Sequence, residues 1–153
     1  MSEKSSIRSE TFVKILIPVS KFVDRARLTR ALHAVSVFQN PLVVLFHVIE
    51  VKSRTVPVDP SPFKEEIAAA EAKLKPTVDW LKEQGYKTTA RIVLARDAIE
   101  GIITEANSGD YTVILMMKRR IRRGISKLFQ KSTSEAVIRS AKPIVLTMLA
   151  SEI

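Results

Sequence analysis

The sequence predicts an α/β protein with an open, five-stranded parallel sheet and helices on both faces. Three observations indicate this fold class. Five apolar runs alternate along the chain with amphipathic stretches of helical period. The runs are apolar at nearly every position, as in strands that are buried on both faces, rather than at every second position. Alternating strands and helices of this length close into a parallel sheet through right-handed crossovers.

Proline marks most element boundaries in the first half of the chain. The first strand is the apolar run that stops at Pro18, and an amphipathic helix follows it and ends before Pro41. The second strand begins directly after Pro41. Ser61 is expected to be the N-cap of the second helix, with Pro62 at the first helical position. Pro76 predicts a kink or a restart within this helix, because proline lacks the backbone N–H donor.

Capping patterns mark the helices of the second half. Asp97 with Glu100 forms a capping box that opens the third helix, and Ser132 with Glu135 forms another before the fourth. Pro143 precedes the last apolar run. The predicted strands are residues 12–17, 42–49, 91–94, 111–117 and 144–149. The predicted helices are residues 23–38, 62–84, 98–107 and 133–141.

The composition is that of one folded domain. Of the 153 residues, 46% are hydrophobic and 27% are charged, a balance that excludes a disordered or fibrous chain. The polar residues 1–11 are expected to be a flexible leader, and residues 12–153 a single α/β domain. No apolar stretch approaches the roughly 18 residues that a membrane-spanning helix needs, and the leader has no apolar signal segment.

The chain has no cysteine, which excludes disulfides, thiol nucleophiles and thiolate metal sites. A cytoplasmic location is therefore expected. The two histidines are interpreted as a boundary residue, His33, and a hydrogen-bonded core residue, His47, rather than as metal ligands. The sequence contains no nucleophile elbow and no Walker sequence. It thus predicts no catalytic residue, no metal and no cofactor.

The order of motifs resembles the universal stress protein family over residues 12–149. The clearest stretch has Gly-Ile-Ser-Lys-Leu at residues 124–128, where members typically read Gly-Leu-Ser-Arg-Leu, and a Lys-Pro-Ile-Val strand entry at residues 142–145. The strand over residues 15–17, with the Pro-Val that follows it, is also similar to the family. The resemblance implies a Rossmann-like, adenine nucleotide alpha hydrolase-like fold. It also implies a homodimer assembled through the last strand, with interface candidates Ile144, Val145, Leu146, Thr147 and Met148.

Nucleotide-binding members of this family carry three glycines, spaced by two and nine residues and followed by Ser or Thr, because phosphate must approach backbone N–H groups closely. On this chain the three glycine positions hold Lys118, Ile121 and Lys131, and only Ser132 of the pattern survives. Ile121 is the most disruptive of these, since a β-branched side chain rarely adopts positive φ. The family's acidic residue after the first strand corresponds to Ser20. This degenerate pattern argues against ATP binding in the family's usual manner.

A basic stretch, residues 118–131, replaces the glycine loop. It holds seven of the 25 Lys and Arg residues and no acid, so the net charge of +9 falls to +2 without it. In one interpretation its side chains form a remodelled site for phosphate or carboxylate. In others it binds nucleic acid, an anionic membrane or an acidic protein loop, or is simply a solvated loop. The anion- or partner-binding candidates are Ser20, Lys118, Arg119, Arg120, Arg122, Arg123, Lys131 and Ser132.

The sequence therefore predicts a non-catalytic regulatory or stress-response protein that binds a partner or an anion through the basic stretch. Two alternatives stay open. One is a nucleotide-binding switch or weak nucleotidase that uses the basic stretch in place of the glycines. The other is a nucleic-acid-binding protein, whose affinity would fall steeply with salt.

Overall fold

A single parallel sheet forms the centre of the protein. The computed structural model describes residues 13–20, 23–38, 40–52, 59–119 and 133–150, so the predicted leader, residues 1–11, lies outside the described residues. The strands are β1 (Lys14–Pro18), β2 (Leu42–Glu50), β3 (Lys87–Ala95), β4 (Val113–Arg119) and β5 (Ile144–Ala150). They pair in the order β3-β2-β1-β4-β5, and every pair is parallel. This arrangement confirms the predicted fold class.

Helices cover both faces of the sheet. In the described part of the chain they are α1 (Arg25–Ala34), α2 (Lys64–Glu83), α3 (Ala98–Ser108) and α4 (Thr133–Ser140). One hydrophobic core joins α1 and α2 to side chains of β1, β2 and β4, and a second core joins α3 and α4 to the opposite face of the same strands.

Burial on both faces explains why the middle strand, β1, has an almost continuous apolar sequence. Ile15, Leu16 and Ile17 have no exposed surface. Because successive side chains of a strand point to opposite faces, Ile15 and Ile17 lie in the core beneath α1 and α2, and Leu16 lies in the core beneath α3 and α4. Both faces of β1 are therefore buried, as the sequence predicts.

The first helix is shorter at both ends than the predicted residues 23–38. It begins after Asp24, whose Oδ1 accepts the N–H groups of Ala26 at 2.9 Å and Arg27 at 3.2 Å. It ends at Ala34, and turns follow it. Val35 lies in these turns and is still buried, so the apolar period continues beyond the end of the helix.

One prediction for the second helix is wrong, and one of the two alternatives for Pro76 is excluded. Ser61 is not its N-cap, because a 3-10 turn, Ser61–Phe63, precedes α2 and the Asp59 carboxylate accepts the Ser61 N–H at 2.9 Å. The helix also continues through Pro76 without a restart. Leu74, Val78 and Leu81 are buried around Pro76, and their packing against the core offsets the one backbone hydrogen bond that proline removes.

A buried carboxylate near the C-terminal end of α3 connects this helix to the amino-terminal edge of the sheet. Glu105 is 8% exposed, and its Oε1 accepts the Tyr111 hydroxyl at 2.8 Å and lies 2.7 Å from Arg91 Nε. Burial, followed by the hydrogen bond to Glu105, raises the pKa of the Tyr111 phenol. The phenol is therefore the proton donor to Glu105 throughout the neutral range.

We predict that Tyr111→Phe lowers the free energy of unfolding by about 1–2 kcal/mol at pH 7, because Glu105 loses one of its two partners. Urea unfolding of the full chain measures this change. The raised pKa of Tyr111 means that its contribution is complete below the unfolded-state value of about 10 and decreases as the pH rises above it. The difference between the two proteins should therefore shrink above pH 10.

Tyr86→Phe is the matched control, since the Tyr86 hydroxyl makes no hydrogen bond within the described residues. Equal destabilisation by the two substitutions would contradict the role of the Glu105 contact.

Candidate functional site

The strand order reverses beside β1. The chain runs outward through β1, β2 and β3, and then returns to place β4 on the other side of β1. A cavity of about 340 Å³ lies at this reversal, beyond the carboxyl ends of the central strands. Its wall includes Ser20 after β1, His47 and Glu50 of β2, and Ala98 at the start of α3. This is the position at which open parallel sheets bind ligands.

A second cavity, of about 780 Å³, adjoins the first between the end of β2 and α2. Ser20, His47, Val48 and Glu50 line both cavities, and we call the two together the carboxyl-edge cleft. Each volume lies in the range of roughly 300–1,000 Å³ that small-molecule sites occupy.

Backbone contacts between β1 and β2 fix the inner wall of this cleft. The Val19 N–H donates to the Phe46 carbonyl at 2.8 Å, and His47 Nδ1 lies 2.9 Å from the Val19 carbonyl oxygen. A carbonyl oxygen only accepts, so Nδ1 carries the proton and Nε2 of the neutral ring is the acceptor. His47 is hydrogen-bonded, as predicted, but it is only half-buried and borders the cleft rather than the core.

The N-terminus of α3 is occupied by carboxylates from within the chain. Glu50 Oε1 accepts the Ala98 N–H at 2.9 Å, and Asp97 Oδ1 accepts the Glu100 N–H at 2.8 Å. The Asp97 contact confirms the predicted capping position. A helix N-terminus attracts anions through its free N–H groups and its partial positive charge. Two carboxylates already accept hydrogen bonds from N–H groups of this turn, so a phosphate approaching Ala98 meets negative charge.

Close packing holds α3 in this position. A Cβ atom on Gly101 would lie 2.9 Å from Cγ2 of Val48 and 3.2 Å from the Cβ of Ala95. The helix backbone therefore lies directly on β2 and β3, which brings Ala98 within reach of Glu50. The sequence-based prediction overlooked both Glu50 and Gly101, although a glycine inside an amphipathic helix is a sign of close backbone approach.

The other charged side chains of the cleft are mixed in sign. Asp24 lies 3.4 Å from Arg27 and is also the N-cap of α1, so both groups are already partnered. Glu66 and Lys73 of α2 line the larger cavity. With Glu50, the described walls carry more negative than positive charge.

The structure describes only some of the predicted site residues. Ser20 is exposed at the end of β1 and lines both cavities of the cleft. Lys118 and Arg119 are the last two residues of β4, which extends two residues beyond the predicted strand because β5 pairs with it along its whole length. The remaining candidates lie outside the described residues, and their roles stay predictions. They are Arg120, Ile121, Arg122, Arg123, Lys131 and Ser132.

The predicted interface residues lie in β5, an edge strand of the sheet. Ile144 is 61% exposed and Leu146 is 38% exposed, while Thr147 is exposed and Val145 and Met148 are half-buried. Large apolar side chains on an unpaired edge are typical of a strand that another chain covers.

Within the described residues, no group of His, Cys, Asp or Glu side chains has the arrangement of a metal site. None of the helices in those residues is both long and apolar enough to cross a membrane.

The sequence matches the model of the universal stress protein family over residues 11–147. The match spans most of the chain, and it confirms the resemblance noted from the sequence. No curated protein matches the sequence.

Solved structures share the fold at low sequence identity. Hypothetical protein MJ0577 is 23% identical, with a TM-score of 0.66, and the alignment covers 93% of this chain and 99% of that one. The universal stress protein from Archaeoglobus fulgidus, in complex with dAMP, is 20% identical with a TM-score of 0.54, covering 89% and 97%. A family protein from Arabidopsis thaliana with AMP bound is 17% identical with a TM-score of 0.59, covering 91% and 92%.

We predict that Gly101→Ala lowers the free energy of unfolding by about 1–3 kcal/mol, because the added methyl group clashes with Val48 and displaces α3. Urea unfolding of the full chain measures the change. Thr104→Ala, at an exposed position of the same helix, is the matched control and should be neutral or slightly stabilising. An increase in stability for Gly101→Ala, as helix propensity alone predicts, would contradict the close packing.

Proposed function

The chain belongs to the universal stress protein family, and we propose that it is a non-catalytic regulatory or stress-response member that does not bind ATP in the family's usual manner. It acts instead by binding a partner or an anion through the basic stretch, residues 118–131. The cytoplasm is its proposed location.

The contact between Glu50 and Ala98 is the observation that carries this proposal. It puts a carboxylate on the helix N-terminus that faces the carboxyl-edge cleft, at 2.9 Å from the first helical N–H. Asp97 occupies a further N–H of the same turn. A nucleotide phosphate in this cleft would have to displace these groups or lie beside them, at an electrostatic cost.

The course of β4 also argues against ATP binding in the family's usual manner. Lys118 stands at the first glycine position of the nucleotide pattern, and it pairs with Leu149 within the β4–β5 ladder. Arg119 pairs with Ala150 in the same way. The backbone at the first motif position thus belongs to a strand that pairs with β5, rather than to a phosphate-binding loop.

The proposal that the basic stretch binds anions rests on charge. Seven cationic side chains follow one another within 14 residues at the end of β4, without an acid among them. Such a density attracts phosphate and carboxylate groups through charge-assisted hydrogen bonds, for which arginine has the better geometry. The stretch begins at the end of β4, and Met116 and Met117 of that strand line the carboxyl-edge cleft.

A nucleotide-binding switch or weak nucleotidase is the second candidate. Two relatives favour it, since the Archaeoglobus fulgidus protein is described in complex with dAMP and the Arabidopsis thaliana protein with AMP bound. The volume of the carboxyl-edge cleft also suits a small molecule. In this case the basic stretch would hold the phosphates in place of the glycines.

A homodimer through β5 is proposed as the assembly. Support comes from the exposed apolar side chains of Ile144 and Leu146 on an edge strand of the sheet. A second copy of β5 would cover these side chains and pair the free edge at the same time.

The functional proposal predicts that binding depends on phosphate charge and not on the adenine base. Isothermal titration calorimetry of the full chain with tripolyphosphate should give saturable binding. MgATP should bind no tighter than tripolyphosphate, and adenosine, which lacks phosphate, should give no saturable heat. Replacing Arg119, Arg120, Arg122 and Arg123 together with Gln should weaken tripolyphosphate binding at least tenfold, since the four lost cations together remove about 1.4 kcal/mol or more of charge-assisted contact.

Four exposed lysines outside the carboxyl-edge cleft provide a control with the same change in net charge. They are Lys64, Lys75, Lys82 and Lys87. Their joint replacement with Gln should leave tripolyphosphate binding nearly unchanged. Saturable adenosine binding, or MgATP at least tenfold tighter than tripolyphosphate, would contradict the proposal and favour the nucleotide switch. Equal weakening by both quadruple variants would show that the basic stretch has no special role.

The dimer proposal predicts that Ile144→Asp yields a monomer, because a carboxylate would be buried in the β5 interface. Sedimentation equilibrium should give twice the chain mass for the unmodified protein and the chain mass for the variant. Val37→Asp is the control, since Val37 is 80% exposed in the turn after α1 and is not part of β5. A monomeric unmodified protein would overturn the dimer.

A further inference from the structure

A third cavity lies at the opposite end of the sheet from the carboxyl-edge cleft. Its volume is about 440 Å³, and it is bounded by the starts of β1 and β2, the edge strand β3 and the C-terminal end of α3. We call it the amino-edge cavity. Two cations, Lys14 and Arg91, line it together with the buried Glu105 and the hydroxyl-bearing Thr89. The proposed function uses none of these residues.

Lys14 has no acidic partner among the described residues. Its Nζ donates to the Gly109 carbonyl at 2.9 Å and lies 4.5 Å from the centre of the Tyr111 ring. A carbonyl oxygen and an aromatic face both attract an ammonium group, but neither carries a formal charge. The side chain is thus positioned while its positive charge remains uncompensated.

Arg91 is only partly neutralised. Its Nε pairs with Glu105 Oε1 at 2.7 Å, and the same oxygen also accepts the Tyr111 hydroxyl. The two terminal guanidinium nitrogens of Arg91 donate no hydrogen bond to another of the described residues. These nitrogens are the part of the arginine fork that binds two oxygens of an anion at once.

The side chains that the two cations contact, Glu105 and Tyr111, are buried. The Tyr111 ring lies so close to Gly109 that a Cβ on that glycine would come within 2.3 Å of the ring Cε2. The cavity therefore has two positioned cations and one carboxylate that is shared between two donors. Solvated surface lysines, by contrast, lose side-chain entropy when they bind an anion.

We propose that the amino-edge cavity binds a small oxyanion, in the form of a phosphate or carboxylate group. The terminal nitrogens of Arg91 supply a bidentate contact and the Lys14 ammonium a second positive charge, with the Thr89 hydroxyl as a further donor. Tyr111 and Glu105 are positioning residues for the two cations. None of the residues that line this cavity belongs to the basic stretch, and the site does not depend on the proposed function.

Nuclear magnetic resonance of the full chain tests this site. Inorganic phosphate and, separately, malonate are added at constant ionic strength, and the backbone amide shifts are followed. Saturable shifts are expected for the amides of Lys14, Thr89, Arg91 and Ser108. Arg91→Lys should weaken binding about tenfold, because lysine keeps the charge that faces Glu105 but lacks the arginine fork. Lys14→Met provides a second variant that leaves the Arg91–Glu105 pair intact.

Lys82→Gln is the control, since Lys82 lies near the amino end of β3 but does not line this cavity. It should retain the affinity of the unmodified chain. The absence of saturable shifts at the four amides with either anion would overturn the site. Equal weakening by Lys82→Gln would also overturn it, as would shifts confined to residues 118–132, although that result would support the proposed function. Tighter binding of phosphate or of malonate identifies which oxyanion the site prefers.

Discussion

The burial of β1 on both faces is the constraint on which the rest of the structure depends. Ile15, Leu16 and Ile17 carry no exposed surface, so β1 must lie between two strands and under helices on either side. The strand order then reverses beside β1, and the carboxyl-edge cleft opens at that reversal. The contacts of Val19 with β2 fix where β1 ends, and Ser20 follows at the rim of the cleft.

The distribution of charge matters more than the net value of +9. The described walls of the carboxyl-edge cleft present the Glu50 carboxylate to the start of α3, where a phosphate would otherwise find free N–H groups. Positive charge is concentrated in the basic stretch, with a smaller group at Lys14 and Arg91 on the opposite edge of the sheet. In the proposed function, side chains bind the anion in place of the backbone N–H groups of a glycine loop.

Local patterns predicted much of the fold, and contacts between distant residues account for what was missed. Asp97 caps α3 as expected because its partner lies three residues away. Ser61 fails as an N-cap because Asp59, two residues earlier, takes its N–H and a 3-10 turn intervenes. The Glu50–Ala98 contact joins residues 48 positions apart, and no sequence period indicates such a pair. The position of Ser20 was predictable, since it depends only on where an apolar strand ends.

A crystal structure of the full chain grown with millimolar MgATP tests most directly whether ATP binds in the carboxyl-edge cleft. We expect the Glu50 carboxylate to stay on the Ala98 N–H, with no ordered adenine or ribose in the carboxyl-edge cleft. Any ordered phosphate should lie against side chains of the basic stretch. An adenosine moiety seated beyond the ends of β1 and β4, with Glu50 displaced from Ala98, would contradict the account.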